Sequence, residues 1–489
     1  MEKMKLTYLC EPLEPCTGHG GDRDISGITC DSRLVKPGYL FIAVRGYTTD
    51  GHSFIGKAVE QGASAVVAEQ PVPGCPVPVL VVSNARNAMA VLAKQFYGNP
   101  AEKMDIVGIT GTNGKTTTAH FVESVFTRAG KSVGMTGTLE YRWPGFSLEA
   151  PQTTPNSIVL YEYLNKMAHD GVDVAVMEVS SHSLDQERVA GLDFSTAIFT
   201  NISHDHLDYH KSIENYVHTK KRLFSMLKPH GAAIINIDDP YAGEMAEPAS
   251  GRVCFYGTGS GAAYRIESVV QKRLGSEFFL TGPDVKLRLT TVLPGLFNVY
   301  NAAAAAGAAL DMGVDAEAVI EGIASMKRVP GRMEGYLAEK QDIRVIVDYA
   351  HTPDALDKVL RCAREFTHGR LIAVFGCGGD RDRQKRPVMG RTACSIADAV
   401  FITSDNPRTE DPDRIIHDIE AGLEKTAGKA RSITDREEAI VSALKMAQRG
   451  DTVVIAGKGH ETYQITGNQR THFDDMEKVR EYFEEVKRQ

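Results

Sequence analysis

At 489 residues the chain has room for about three domains of ordinary size. Its 42% hydrophobic and 24% charged residues describe globular material, and no run approaches the roughly 18–20 apolar residues of a membrane span. A net charge of −8 argues against the basic face that a sequence-independent grip on nucleic acid requires.

The start carries Glu2, Lys3 and Lys5 and lacks the apolar core of a signal peptide, so no leader is expected. Residues 1–100 read as a unit of their own. Short apolar runs at 66–67 and 79–82 alternate with turns, Pro71, Pro73, Pro76 and Pro78 punctuate them, and Gly98-Asn99-Pro100 closes the unit. Eight cysteines, at 10, 16, 30, 75, 254, 362, 377 and 394, form no CxxC pair and no metal-finger spacing. They read as reduced and structural, and the chain as a cytoplasmic enzyme.

Next comes an apolar run at 106–109, which predicts a buried strand, and then Gly111-Thr112-Asn113-Gly114-Lys115-Thr116-Thr117. Glycines let backbone N–H groups turn toward a phosphate, and a following helix adds its positive N-terminal end. Lys115 can reach terminal phosphates and the Thr116 hydroxyl can ligate Mg²⁺. The usual P-loop has a glycine five residues before the Gly-Lys pair; here Ile109 stands there, leaving the compact form Gly-x-x-Gly-Lys-Thr. That form points away from ordinary GTPases and motors and toward a narrower class of ATP users.

Through 101–328, apolar runs at 173–179, 196–200 and 232–237 predict strands, and 157–169 an intervening helix. Alternation of this kind gives a largely parallel sheet covered by helices. The Ala-rich run 301–310 predicts a core helix. Between the strands lies His204-Asp205-His206-Leu207-Asp208-Tyr209-His210. One extra residue spoils its match to the HxHxDH pattern of dinuclear hydrolases, and ligands must converge on one ion. The more economical reading has one histidine and Glu178 assisting Mg²⁺ at the nucleotide; His204 and His210 are not expected to take part.

Beyond Val329-Pro330-Gly331-Arg332, four apolar runs at 345–347, 371–375, 399–403 and 453–456 each end in a polar segment. These segments carry Asp348 to Asp354, Gly376 to Arg383, Asp405 to Arg408, and Gly457 to Glu461. Ligands of doubly wound sheets sit outside the carboxyl ends of the strands. A phosphate loop in one domain and a polar rim in the next suggest a cleft where an activated group meets an acceptor.

The compact P-loop, Glu178-Val179-Ser180-Ser181-His182, Asp205-His206-Leu207-Asp208, Asn298-Val299-Tyr300-Asn301, Asp348-Tyr349-Ala350-His351-Thr352-Pro353 and Gly457-Lys458-Gly459-His460-Glu461 together resemble the Mur ligases. These are ATP-dependent amino acid ligases of peptidoglycan precursor synthesis, and the resemblance runs the length of the chain. It implies three α/β domains: a UDP-binding domain at 1–100, a central P-loop ATPase domain with a mainly parallel sheet at 101–328, and a Rossmann-like amino-acid-binding domain at 329–489. Asp31-Ser32-Arg33 with Pro37-Gly38-Tyr39-Leu40-Phe41 resembles the UDP-binding domain of members that add the third stem residue. Asp405-Asn406-Pro407-Arg408 matches those that add meso-diaminopimelate rather than L-lysine.

The implied reaction phosphorylates a D-glutamate carboxylate with ATP, and an amine of the diamino acid then displaces phosphate from the acyl phosphate. Residue by residue, Gly111 to Thr117 would bind ATP, with Asn301 and His351 near adenosine. Thr116 and Glu178 would hold Mg²⁺, and His206 a second ion with the family's carbamylated lysine, which falls on Lys220 or its neighbour Lys221. Cys30, Ser32, Tyr47, Thr48, Thr49, Gln152, Thr153, Thr154, Ser180, Gln186 and Arg188 would hold the UDP-muramoyl dipeptide. Arg381, Asp405, Asn406, Pro407, Arg408, Gly457 and Glu461 would hold diaminopimelate. The partners implied are these small molecules alone, acting on a monomer with neither nucleic acid nor membrane. Rival readings are an L-lysine-adding member, a folylpolyglutamate synthetase, a P-loop regulator and a metallohydrolase.

Overall fold

The computed structural model describes residues 3–13, 23–46, 49–272, 275–326, 328–423 and 427–488. The chain divides into two compact units: Met1–Arg265 with Ala304–Gly322, and Ile266–Ala303 with Ile323–Gln489.

The first unit contains a four-stranded parallel sheet in the order Gly27–Thr29, Tyr39–Ile42, Ala65–Ala68, Val79–Val81. The helix Ala85–Tyr97 follows, started by Asn84, whose side chain accepts from the N–H groups of Arg86 and Asn87. Its buried residues Ala85, Ala88, Met89, Leu92, Ala93 and Phe96 recur at helical spacing and join one core with Ile158, Tyr161 and Leu164 of the helix Ser157–His169. Polar ties add to this packing: Asn84 donates to Glu187 at 3.0 Å, and Lys94 to the Gly191 carbonyl at 2.8 Å.

The unit's larger sheet includes, in order, Phe146–Glu149, Glu140–Trp143, Val133–Thr136, Val174–Glu178, Asp105–Thr110, Phe194–Phe199, Leu227–Asn236 and Arg252–Gly257. The first two strands form an antiparallel hairpin on its edge, and the strands from Val133 onward are parallel. From Ile106 to Thr110 every residue is buried, as expected of a parallel strand covered on both faces. Because Asp105–Thr110 lies between Val174–Glu178 and Phe194–Phe199, the segments leaving all three open side by side.

The helix expected at 157–169 is Ser157–His169, whereas the Ala-rich helix begins earlier and spans Leu296–Asp311. Ala302 to Ala306 are all buried there. The antiparallel pair Ser276–Thr281 and Lys286–Thr291 is additional, with burial alternating residue by residue.

In the second unit a six-stranded sheet runs Glu334–Ala338, Ile343–Asp348, Thr452–Ala456, Leu371–Phe375, Ala399–Ile402, Ala430–Ser432. Only the first pair is antiparallel. The four strands expected here are therefore contiguous and parallel, and their carboxyl ends share one edge. Helices Pro353–Glu365, Lys385–Ile396 and Pro412–Glu420 cover one face through Leu356, Leu360, Met389, Ile415 and Ile419. Arg436–Met446 and Asp475–Arg488 cover the other through Ile440, Leu444, Val479 and Phe483. Among the described residues no helix is long and apolar enough to cross a membrane.

Candidate functional site

Gly111 follows the strand Asp105–Thr110 at φ +144°, a conformation closed to most side chains, and a Cβ there would run into Thr200 Oγ1. Gly114, at φ +88°, opens the helix Lys115–Arg128 without a side-chain cap, so the first-turn N–H groups face out of the helix. The loop between is sewn to the segment after Phe194–Phe199. Thr112 N donates to Asn201 O at 2.7 Å, Asn113 N to Asn201 Oδ1 at 3.2 Å, and Thr200 Oγ1 to Asn113 O at 2.6 Å. Lys115 folds back over the loop, donating to the Gly111 and Thr112 carbonyls at 2.8 Å each. Thr117 is buried on the helix behind it.

Thr116 Oγ1 donates to Glu178 Oε2 at 3.0 Å. That buried carboxylate also accepts from Thr138 N at 2.8 Å and Thr138 Oγ1 at 3.0 Å. A hydroxyl and a carboxylate at the foot of a phosphate loop are hard oxygen donors, the set that suits Mg²⁺, which keeps several of its waters. Among the described residues no three His, Cys, Asp or Glu side chains come together to hold a metal ion. His206 sits at φ +54° with its side chain 47% exposed, its ring 4.9 Å from that of His182. His210 is buried and hydrogen-bonded to Ser181 at 2.9 Å.

Lys220, on the helix Ile213–Lys221, is fully buried. Its Nζ donates to the Gly111 carbonyl at 2.9 Å and lies 4.6 Å from the centre of the Tyr216 ring. Burial, then the charge of Lys115, pushes its ammonium well below the ordinary lysine range, with Asp205 opposing. Lys221 instead points away from the loop, pairing with Glu247 at 3.0 Å.

A second network leads from Glu178. Thr154 Oγ1 donates to the Glu178 carbonyl at 2.8 Å and accepts from Ser180 N at 3.3 Å; Thr153 meets Thr138 at 3.2 Å. Arg188 donates to Gln152 Oε1, the Thr154 carbonyl and Gln186 Oε1 at 2.8, 2.7 and 2.7 Å. Gln152, Thr153, Thr154, Ser180, Gln186 and Arg188 thus belong to one connected hydrogen-bond network. Just after the strand Gly27–Thr29, Ser32 is buried at the turn capped by Asp31, and Cys30 is half-buried with its thiol pushed up by burial and by Asp31. Thr49 is exposed, its carbonyl accepting from Gly46 N at 2.9 Å, and Tyr47 and Thr48 lie outside the described residues.

The second unit gathers another cluster at its strand ends. Buried Asn406 donates to Glu461 Oε2 at 2.7 Å and accepts from Lys458 Nζ at 3.2 Å and Ile465 N at 2.9 Å. Burial pushes the Glu461 carboxyl up, and the Lys458 ammonium opposes that shift. Gly457, at φ +115°, lets Asp405 approach: a Cβ there would stand 2.6 Å from Asp405 Oδ2. Arg408 takes φ +51° and pairs through its backbone with Ile465 and Gly467. Of its guanidinium nitrogens, only Nη1 is hydrogen-bonded among the described residues, to the Gly379 carbonyl at 2.8 Å. Pro407 O accepts from Glu410 N, and Asp380 holds Thr409 with both carboxylate oxygens, which brings the exposed Arg381 alongside Arg408's segment. Asn301 is buried against Asn298 at 3.2 Å; His351 is exposed, its Nδ1 2.8 Å from Tyr349 O.

Models of three Mur ligase domains match in succession: the Mur ligase family catalytic domain over residues 24–97, the Mur ligase middle domain over 109–309, and the Mur ligase glutamate ligase domain over 331–459. A UDP-N-acetylmuramoyl-L-alanyl-D-glutamate--2,6-diaminopimelate ligase of Bacillus licheniformis is 44% identical over 492 residues, 99% of this chain and 100% of that one. The chain belongs to the Mur ligase family. A ligase of the same name from Gloeobacter violaceus is 46% identical over 98% of both chains. A solved structure of such a ligase has a TM-score of 0.72 at 34% identity, covering 99% of each chain. The Thermotoga maritima MurF ligase in complex with ADP shares the fold, with a TM-score of 0.63 at 21% identity over 94% of this chain and 98% of that one.

Three groups in this Mur ligase were not anticipated. Thr138 supplies two of the bonds that hold Glu178, yet in sequence it is one more turn threonine. Lys458 lies inside a motif already singled out, and its contact with Asn406 follows from the fold. Arg436, buried and paired with Asp475, carried no local signal at all.

Proposed function

We propose that this chain joins meso-diaminopimelate to UDP-N-acetylmuramoyl-L-alanyl-D-glutamate at the expense of ATP, in the cytoplasmic stage of peptidoglycan precursor synthesis. Relatives of that printed name, similar over the full length, support the choice of substrates. The observation that carries the ligase reading over a simple nucleotide switch is Lys220, a lysine fully buried against the P-loop carbonyl of Gly111. A phosphate-binding module needs Lys115; it has no use for a second lysine buried behind the loop.

The chemistry follows from making a poor electrophile reactive. The D-glutamate side-chain carboxylate attacks the γ-phosphorus of ATP, ADP leaves, and an acyl phosphate forms. An amine of diaminopimelate then adds to the carbonyl, loses its proton, and phosphate departs from the tetrahedral intermediate. Bringing a carboxylate to a triphosphate requires oriented positive charge. Lys115, Gly111, Thr112, Asn113, Gly114, Thr116 and Thr117 supply it to ATP, with Asn301 and His351 toward the adenosine. Thr116 and Glu178 would hold Mg²⁺, and His206 with a carbamate on Lys220 a second ion; bound there, they neutralise phosphate charge. Cys30, Ser32, Tyr47 to Thr49, Gln152 to Thr154, Ser180, Gln186 and Arg188 hold the UDP-muramoyl dipeptide. Arg381, Asp405 to Arg408, Gly457 and Glu461 hold diaminopimelate. We assign these tasks to three domains, 1–100, 101–328 and 329–489, in a monomer.

The test is phosphate and ADP release with each substrate omitted in turn, and the mass of the product. The reading stands if release requires the dipeptide and diaminopimelate together and the product is their conjugate. ATP hydrolysis indifferent to diaminopimelate would overturn it.

A further inference from the structure

Two segments bear the residues assigned to diaminopimelate, Asp405 to Arg408 and Gly457 to Glu461. They leave strands Ala399–Ile402 and Thr452–Ala456, which are not neighbours: Leu371–Phe375 lies between them. Sheet hydrogen bonds therefore do not fix one segment against the other.

A buried guanidinium does. Arg436 begins its helix just after Asp435, which caps it. Its Nη1 donates to the Ser404 carbonyl at 3.2 Å and its Nη2 to the Ala456 carbonyl at 3.1 Å. Ser404 and Ala456 are the residues immediately before Asp405 and Gly457. Nε and Nη2 also bind both oxygens of Asp475 at 2.7 Å each, and both side chains are fully buried. As a stabiliser such a pair is unpromising, because desolvation offsets much of the attraction and apolar replacements are often neutral. Its geometry is specific: one rigid planar fork, fixed by Asp475, ties together two strand ends that the sheet leaves apart.

We propose that Arg436, oriented by Asp475, is a positioning residue for the acceptor amino acid, setting the spacing between these two segments. The inference rests on the diaminopimelate reading above. The link it protects is short: Asn406 on one segment contacts Glu461 and Lys458 on the other at 2.7 and 3.2 Å. Misplacement on the ångström scale is enough to break those contacts, and shifts of about 1 Å in a site can cost on the order of 100-fold.

The experiment measures KM for diaminopimelate, ATP and the UDP-muramoyl dipeptide, together with thermal midpoints. It compares the parent enzyme with Arg436→Lys and with the double variant Arg436→Met/Asp475→Leu, which leaves no buried charge unpaired. The expected result is a KM for diaminopimelate raised about 10- to 100-fold, with the other two KM values unchanged. Arg436→Lys, which keeps charge but not the fork, should show the same selectivity. Parent-like KM for diaminopimelate in either folded variant, or an equal rise for all three substrates, overturns the inference. Loss of folding in both variants also overturns it, since the pair would then be structural. A parent enzyme that ignores diaminopimelate sinks the functional reading itself, and is distinguished by needing no variant.

Discussion

Arg408→Ala should change which amino acid is used more than how fast any is used. Diaminopimelate differs from lysine by a carboxylate at its far end, and a guanidinium can bind that group bidentately. In the structure one nitrogen of Arg408 is committed to the Gly379 carbonyl, and the side chain is half-buried. A charged pair in a partly dried site is worth about 2–4 kcal/mol on truncation, and half-burial favours the lower part of that range. At about 1.4 kcal/mol per decade, a loss of about 2–3 kcal/mol lowers kcat/KM for diaminopimelate roughly 30- to 150-fold. Lysine never makes the contact, so its slow incorporation should change little. The backbone bonds to Ile465 and Gly467 survive the substitution, and losing the Gly379 contact costs about 1 kcal/mol of stability, visible as a small drop in melting temperature. The assay is kcat/KM for both amino acids at saturating ATP and dipeptide. An equal fall for the two would refute the reasoning, because Arg408 would then shape its loop without reading the distal carboxylate.

Three further outcomes follow from the geometry. Lys115→Ala should abolish ligation with a nearly unchanged melting temperature, since the side chain bonds loop carbonyls and packs into no core; ligation near the parent rate at saturating ATP would contradict this. Lys220→Ala should abolish activity, partly recovered with short-chain carboxylates, while Lys221→Ala loses only a surface pair with Glu247; the reverse order would move the functional lysine by one residue. His460, pushed down to about 4 by burial and by the charges of Arg332, His351 and Lys458, is held neutral in the folded state. The unfolded chain therefore binds the extra proton between about pH 6.5 and 4. Stability contributed by neutral His460 is complete above that window and falls as pH drops through it, by up to about 3 kcal/mol. His460→Gln should flatten the slope of unfolding free energy against pH there, and an unchanged slope would refute the assignment.

How much of this the sequence disclosed depends on how local each feature is. The phosphate loop was legible because strand, glycines, lysine and helix start are consecutive. Which of Lys220 and Lys221 turns inward is ambiguous from the motif alone, but helical spacing decides it. Tyr216, Val217, Lys220 and Phe224 fall on one face, so Lys220 follows the apolar side inward. The antiparallel pair Ser276–Thr281 and Lys286–Thr291 was missed although its apolar residues alternate, because attention to continuous apolar runs finds parallel strands and overlooks half-exposed ones. The network around Glu178 was only half visible: Gln152, Thr153, Thr154 and Ser180 came from motif register, and Thr138 from nothing in the sequence.

Arg436 and Asp475 mark the harder limit. In sequence each is a charged residue at the start of a helix, where exposure is the ordinary expectation. Their burial becomes apparent only once the strand order is known, because the strands they serve are brought near each other by a sheet that threads another strand between them. Reading strand ends located these polar segments, since parallel strands deliver their following loops to one edge whatever their order. It could not supply the bracing between them, because spacing at that edge is set across non-neighbouring strands. A chain of this architecture therefore displays its polar strand-end residues in motifs and conceals the buried residues that brace them.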